Sequence, residues 1–155
     1  RYYFDKDGVI GLSPRIHDFN NDGLNDILYC SGIAARGSNE VNTLFIFSPK
    51  ENKFYHIKNS LTYPNLFFNK ELNCINSFVF TGSQTTVFLR LDKDSLKEFA
   101  SVDFANSITI YENDKKGKSK LTGNFPITGF DNYTPFKNYK PLQQYTETEL
   151  NKIRE

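Results

Sequence analysis

Apolar and polar positions alternate in short runs along most of this chain, and clusters of Asp, Asn, Gly, Ser and Pro separate the runs. That rhythm predicts strands rather than helices, because side chains on a strand face opposite sides in turn. Residues 2–4 read as a strand closed by the turn at residues 5–8, and residues 9–12 and 15–19 follow with Ser13 and Pro14 between them. Residues 26–31 form the next strand, and residues 32–39 read as an exposed loop. Two apolar runs, 43–47 and 53–57, pair as a hairpin across the turn formers of residues 48–52. After a loose segment around Pro64, residues 73–81 and 84–91 make a second hairpin that turns at Gly82 and Ser83. In its second strand Val87, Leu89 and Leu91 share one face, and Thr86, Phe88 and Arg90 share the other. Residues 96–104 and 107–112 continue the pattern, and residues 120–125 pair back on 108–112 around a basic turn.

Beyond Phe125 the pattern changes. Pro126, Pro135 and Pro141 stand among aromatic residues, which predicts an extended segment laid across the body. Residues 146–154 fit a short helix, with Thr146 and Glu149 spaced as a capping box. The expected organisation is therefore an all-β domain over residues 1–125, followed by an extended C-terminal tail with a short helix over residues 126–155, packed on that domain.

Composition supports the β reading. The 155 residues include 15 Phe and 9 Tyr, types that favour a pleated surface. No apolar run approaches the roughly 20 residues that a membrane-spanning helix needs. Lys plus Arg number 19 and Asp plus Glu number 18, a net charge of +1 that argues against a nucleic-acid partner. The lysines between Asp114 and Lys120 read as a solvated hairpin turn. The Asp-Lys-Asp triplets at residues 5–7 and 92–94 also read as turns. The chain begins at Arg1 and contains no Met, which reads as trimming at its start. Cys30 and Cys74 are its two cysteines. They lie outside any C-x-x-C pair, which disfavours zinc and dithiol chemistry, and leave a single disulfide or two buried thiols as the alternatives.

One stretch carries candidate chemistry. Asp18, Asn20, Asp22, Gly23 and Asp26 match D-x-N-x-D-G-x-x-D, the oxygen-donor half of a calcium loop. Alternate residues of a tightly curled loop point inward, so Asp18, Asn20 and Asp22 can converge on one ion. Gly23 permits the sharp turn, Leu24 would offer its carbonyl, and Asp26 would close the set directly or through water. Hard oxygen donors without His or Cys select Ca²⁺ over zinc or copper. The twelfth position, where a helix-loop-helix sensor carries a bidentate Glu, is Tyr29, and the flanks read as strands. The expectation is a structural ion between strands, held at about 10⁻⁵ to 10⁻³ M.

This loop, followed by Ser31-Gly32, by the hairpin of residues 45–54 and by the aromatic strand pair of residues 73–91, resembles a family of bacterial envelope proteins. Such calcium-bearing strand loops also resemble those of FG-GAP and integrin-type β-propeller repeats. The family resemblance implies a small, irregular five-bladed β-propeller with a calcium loop. It further implies an immunity-type protein that inhibits a lysozyme-like peptidoglycan hydrolase delivered by a secretion system. It would be exported to the periplasm or outer envelope, with a lipoprotein among the forms it could take. The resemblance spans roughly residues 15–112 and carries over no inhibitory residue.

An enzyme is not expected. His17 and His56 are the only histidines, and neither sits in a nucleophile–base pattern. Ser31-Gly32 is not a G-x-S-x-G elbow, and nothing singles out Glu51, Glu71 or Glu98 as paired acids. The leading reading is a calcium-stabilised protein-binding module, with the loop carrying Arg36 and Glu40 as a candidate contact surface. A surface adhesion or assembly module that binds protein or glycan is the alternative, and a hydrolase stands third.

Overall fold

The structure, a computed structural model, describes residues 14–154, so the strands and turns expected over residues 1–13 lie outside it. All-β architecture is observed, with one short C-terminal helix. A four-stranded sheet runs β1 (Arg15–His17), β2 (Asp26–Ala34), β3 (Asn39–Ser48) and β4 (Lys53–His56) in sequence order. A six-stranded sheet follows from β5 (Leu66–Asn69), β6 (Cys74–Phe80), β7 (Gln84–Asp92), β8 (Ser95–Phe104), β9 (Ile108–Asn113) and β10 (Ser119–Phe125). A small hairpin of β11 (Phe136–Tyr139) and β12 (Leu142–Gln144) precedes α1 (Glu147–Arg154). Every paired neighbour is antiparallel and consecutive, so the chain meanders without a crossover. These three sheets are open, and they do not confirm the five blades implied by the resemblance.

The six-stranded sheet is the middle layer. On one face Leu66, Phe68, Ile75, Val87, Leu89 and Leu96 pack against Phe19, Leu28, Leu44, Ile46 and Ile57 from the first sheet and the segments beside it. On the other face Phe88, Ala100, Val102 and Ile110 pack under Phe136 of the tail hairpin. The alternation of β7 dictates this split, since Val87 and Leu89 enter one core and Phe88 the other. A bulge in β8 changes its facing. Leu89 pairs with Glu98 but Phe88 with Ala100, so Leu96 belongs to the first core and Ala100, Val102 and Phe104 to the second.

Asparagine side chains bind the layers together. Asn59 accepts from Leu96 N and donates to Leu96 O, both at 2.8 Å. Asn39 accepts from Phe80 N at 3.0 Å and donates to Phe80 O at 2.9 Å. In the second core, fully buried Asn69 and Asn76 donate to the carbonyls of Lys137 and Phe136. A buried amide that completes both bonds replaces the water it lost, whereas a half-satisfied one is destabilising.

Several expectations change in detail. The exposed loop placed at residues 32–39 is half strand: β2 runs on to Ala34 past a bulge between Cys30 and Gly32, β3 starts at Asn39, and the exposed turn between them holds the 3₁₀ residues Ala35–Gly37. β5 was hidden in the loose segment after Pro64. The tail is not merely extended, because β11 and β12 pair and bury Phe136 at 2% exposure. The capping box of α1 is present: Thr146 N donates to Glu149 Oε2 at 2.7 Å, and Glu149 N donates to Thr146 Oγ1 at 3.3 Å. The basic hairpin turn is present as well, closed by Lys116 N and Lys118 N donating to Asp114 Oδ1. Asp92 and Asp94 flank a turn at Lys93 and pair with Lys97 and Lys58. No helix among the described residues is long and apolar enough to cross a membrane.

Candidate metal centre

The acidic stretch is the connection between β1 and β2, two antiparallel strands whose register places His17 opposite Asp26. The loop is therefore anchored at its base, and residues 18–25 must reverse direction within it. Asn21 at φ 58° and Gly23 at φ +83° take left-handed backbone conformations to make that reversal. No atom stands within 4 Å of where a Cβ on Gly23 would lie, so the glycine is required by its dihedral and not by crowding.

Side chains of the motif curl the loop from inside. Asp18 accepts from Asp22 N at 3.2 Å through Oδ1 and from Gly23 N at 2.8 Å through Oδ2. Asn20 Oδ1 accepts from Asp22 N at 3.2 Å, and Asp22 Oδ1 accepts from Leu24 N at 2.8 Å. Asn20 also donates through Nδ2 to Asp22 Oδ2 at 2.9 Å. Short polar side chains at alternate positions thus replace the backbone partners that a strand would have supplied.

Asp26 does something different. Its residue is 0% exposed, and its two oxygens accept from Phe19 N at 2.8 Å and Phe47 N at 2.9 Å. It bolts the end of the loop to β3, the strand beside β2. Burial raises its pKa to about 6; the two backbone N–H groups pull it down, and the negative charges of Asp22 and Asp18 push it further up. The motif's acids therefore act on one another electrostatically, and the donors are of the hard-oxygen type that suits a calcium ion. Among the described residues, however, no three Asp, Glu, His or Cys side chains are gathered as a ready metal cluster. Asp18, Asn20 and Asp22 sit together in the loop and Asp26 at its foot. Leu24 is tied to the loop through its own N–H.

The remaining sequence candidates fall elsewhere. Cys30 and Cys74 are free thiols, one in each large sheet, and the disulfide is not formed. Cys74 is buried, and desolvation pushes its thiol up to about 12. His17 packs edge-on against Phe19 at 5.7 Å, and His56 lies 5.3 Å from the Phe45 ring. Arg36 stands in the 3₁₀ turn, whereas Glu40 is turned to an ion pair with Arg15 and a 2.7 Å bond from Asn42 Nδ2. The bolt formed by Asp26 was not legible along the chain, because its partner Phe47 is 21 residues away.

No family model matches the chain, and no curated protein does. A solved structure described as a Xanthomonas type IV secretion system related protein superposes on 79% of this chain with a TM-score of 0.55 and 16% identity. The chain spans 61% of that structure's length. At this identity the likeness is one of fold.

Proposed function

We propose that the chain is a calcium-stabilised protein-binding module of the bacterial envelope that inhibits a lysozyme-like peptidoglycan hydrolase, as an immunity-type protein does. The D-x-N-x-D-G-x-x-D loop between β1 and β2 carries this reading. Its five motif positions stand on a strand-flanked reversal, and the side chains of Asp18, Asn20 and Asp22 already curl it. Fold likeness to a protein described as related to a type IV secretion system supports an envelope setting. The irregular propeller remains part of the proposal, as does a non-catalytic role.

In this reading Asp18, Asn20, Asp22 and the Leu24 carbonyl hold Ca²⁺, with Asp26 beneath. The ion offsets the repulsion among the carboxylates and pins β1 to β2 and β3. A rigid β body then presents its connecting loops to an enzyme cleft. The test is lysis of purified peptidoglycan by a lysozyme-like hydrolase, with the chain added in calcium or in EGTA. Inhibition in calcium that weakens in EGTA supports the proposal. Undiminished lysis in both sinks it, and retention on a glycan or protein array would then favour the adhesion module.

A further inference from the structure

A cleft of about 270 Å³ opens where the edge strand of one large sheet meets the edge strand of the other, closed on its third side by α1. Phe19, Leu66 and Phe68 form its buried apolar wall, and Ile16 and Ile153 stand at its mouth. The other end is polar. Tyr145 lines it, stacked edge-on against Phe67 at 5.7 Å. The Tyr145 hydroxyl is buried and has no hydrogen-bond partner among the described residues. Burial holds the phenol far above its usual range, so it remains a donor.

Charge at this end is unbalanced. Lys137 is consumed by Glu149 at 2.9 Å, and Arg15 by Glu40. Lys70 and Lys152 have no ion-pair partner among the described residues, and Glu71 lines the cleft with them. An apolar trough edged by two ammonium groups against one carboxylate matches one ligand chemistry. We propose that the cleft binds a free small amphipathic anion, an aliphatic or aromatic body bearing one carboxylate or sulfonate. The body lies on Ile16, Phe19 and Phe68, and the anionic head faces Lys70 and Lys152. Phe19 of the cleft wall also belongs to the acidic loop, but the proposal gives a metal ion no part in binding.

Fluorescence titration of the full chain tests the proposal. The probe is 1-anilinonaphthalene-8-sulfonate, and its neutral counterpart is N-phenyl-1-naphthylamine. Saturable one-to-one binding of the sulfonate, displaced by decanoate, is expected. Combining Lys70→Ala with Lys152→Ala should weaken the sulfonate about five- to tenfold and leave the neutral probe unchanged, since two exposed charge contacts contribute about that much. Ile16→Asp should weaken both probes. All three positions are exposed, so melting curves should match the parent. Unsaturable binding, equal affinity for the two probes in the parent, or unchanged affinity in Ile16→Asp overturns the proposal. So does binding to phosphatidylglycerol vesicles without displacement of the probe by decanoate, which would assign the cleft to a membrane.

Discussion

Asp26 should make the metal-free protein less stable as pH rises, the reverse of ordinary acid denaturation. Its carboxyl is buried and pushed up to about 6 in the folded chain, against an ordinary value of 3.8. Below about pH 4 it is protonated in both states and carries no penalty. Above about pH 6 it is ionised in both, and the folded state bears the whole desolvation penalty. Folding stability is therefore lost as pH climbs between those values, because the native state binds the extra proton. A shift from 3.8 to about 6 corresponds to about 3 kcal/mol. For a chain of this length that is roughly 6–12 °C in melting temperature. Paired carboxylates such as Glu149, held down to about 2 by Thr146 N and Lys137, push the opposite way at low pH. The assay must cancel them. Urea unfolding of the parent and of Asp26→Asn is followed from pH 3.5 to pH 7 in EGTA, and the difference between the two is plotted. Asn keeps one accepting oxygen but turns an amide donor toward a backbone N–H, so it starts lower at acid pH. The parent's advantage should then shrink by about 3 kcal/mol across the window. In millimolar calcium a nearby cation would keep Asp26 ionised, and the advantage should persist to pH 7. A difference that is flat within about 0.5 kcal/mol in EGTA would refute the argument that burial dominates this carboxyl.

Two further substitutions probe the frame around the loop. Phe136→Ala removes a ring that is 2% exposed in the second core, and should destabilise the chain by about 3–5 kcal/mol while exposing the proline-rich tail to limited proteolysis. A loss below 1 kcal/mol in chemical denaturation would mean that the tail hairpin is not part of the core. Gly23→Val places a β-branched side chain at φ +83°, where its Cβ meets no atom within 4 Å, so a loss of about 1–3 kcal/mol is expected from backbone strain. Gly23→Asn should recover much of it by tolerating the left-handed region, and identical melting curves for parent and Val would discount the turn.

Strands with clean alternation were legible in the sequence. Val87 to Leu91 declares both faces, and both are used. The turn at residues 113–119 and the cap of α1 were legible because each is local, fixed by an Asp or a Thr acting within five residues. Features resting on distant partners were not. β5 holds only four residues, and its neighbouring Asn65, at φ 51°, is locked by Ser38, Glu40 and Phe78. Prolines disguised β11 and β12, although neither strand contains one. Gly32 reads as a loop residue, yet here it sits at a bulge that lets β2 continue. The acidic loop itself was legible, spacing included. Its foot was not, since nothing local distinguishes an Asp that reaches β3 from one that faces water.

The bridging asparagines limit how this molecule can change. Oily faces tolerate sliding, since one methyl group serves about as well as another. An amide that clasps both the N–H and the carbonyl of a single residue fits at one position only, as Asn59 does at Leu96. A shift of β8 by one place would break both bonds at once. Leucine there would strand two backbone groups, and aspartate would lack the donor. The layers therefore behave less like stacked plates than like plates pinned through matching holes. An insertion anywhere between two pins would have to be absorbed in the loop that joins them.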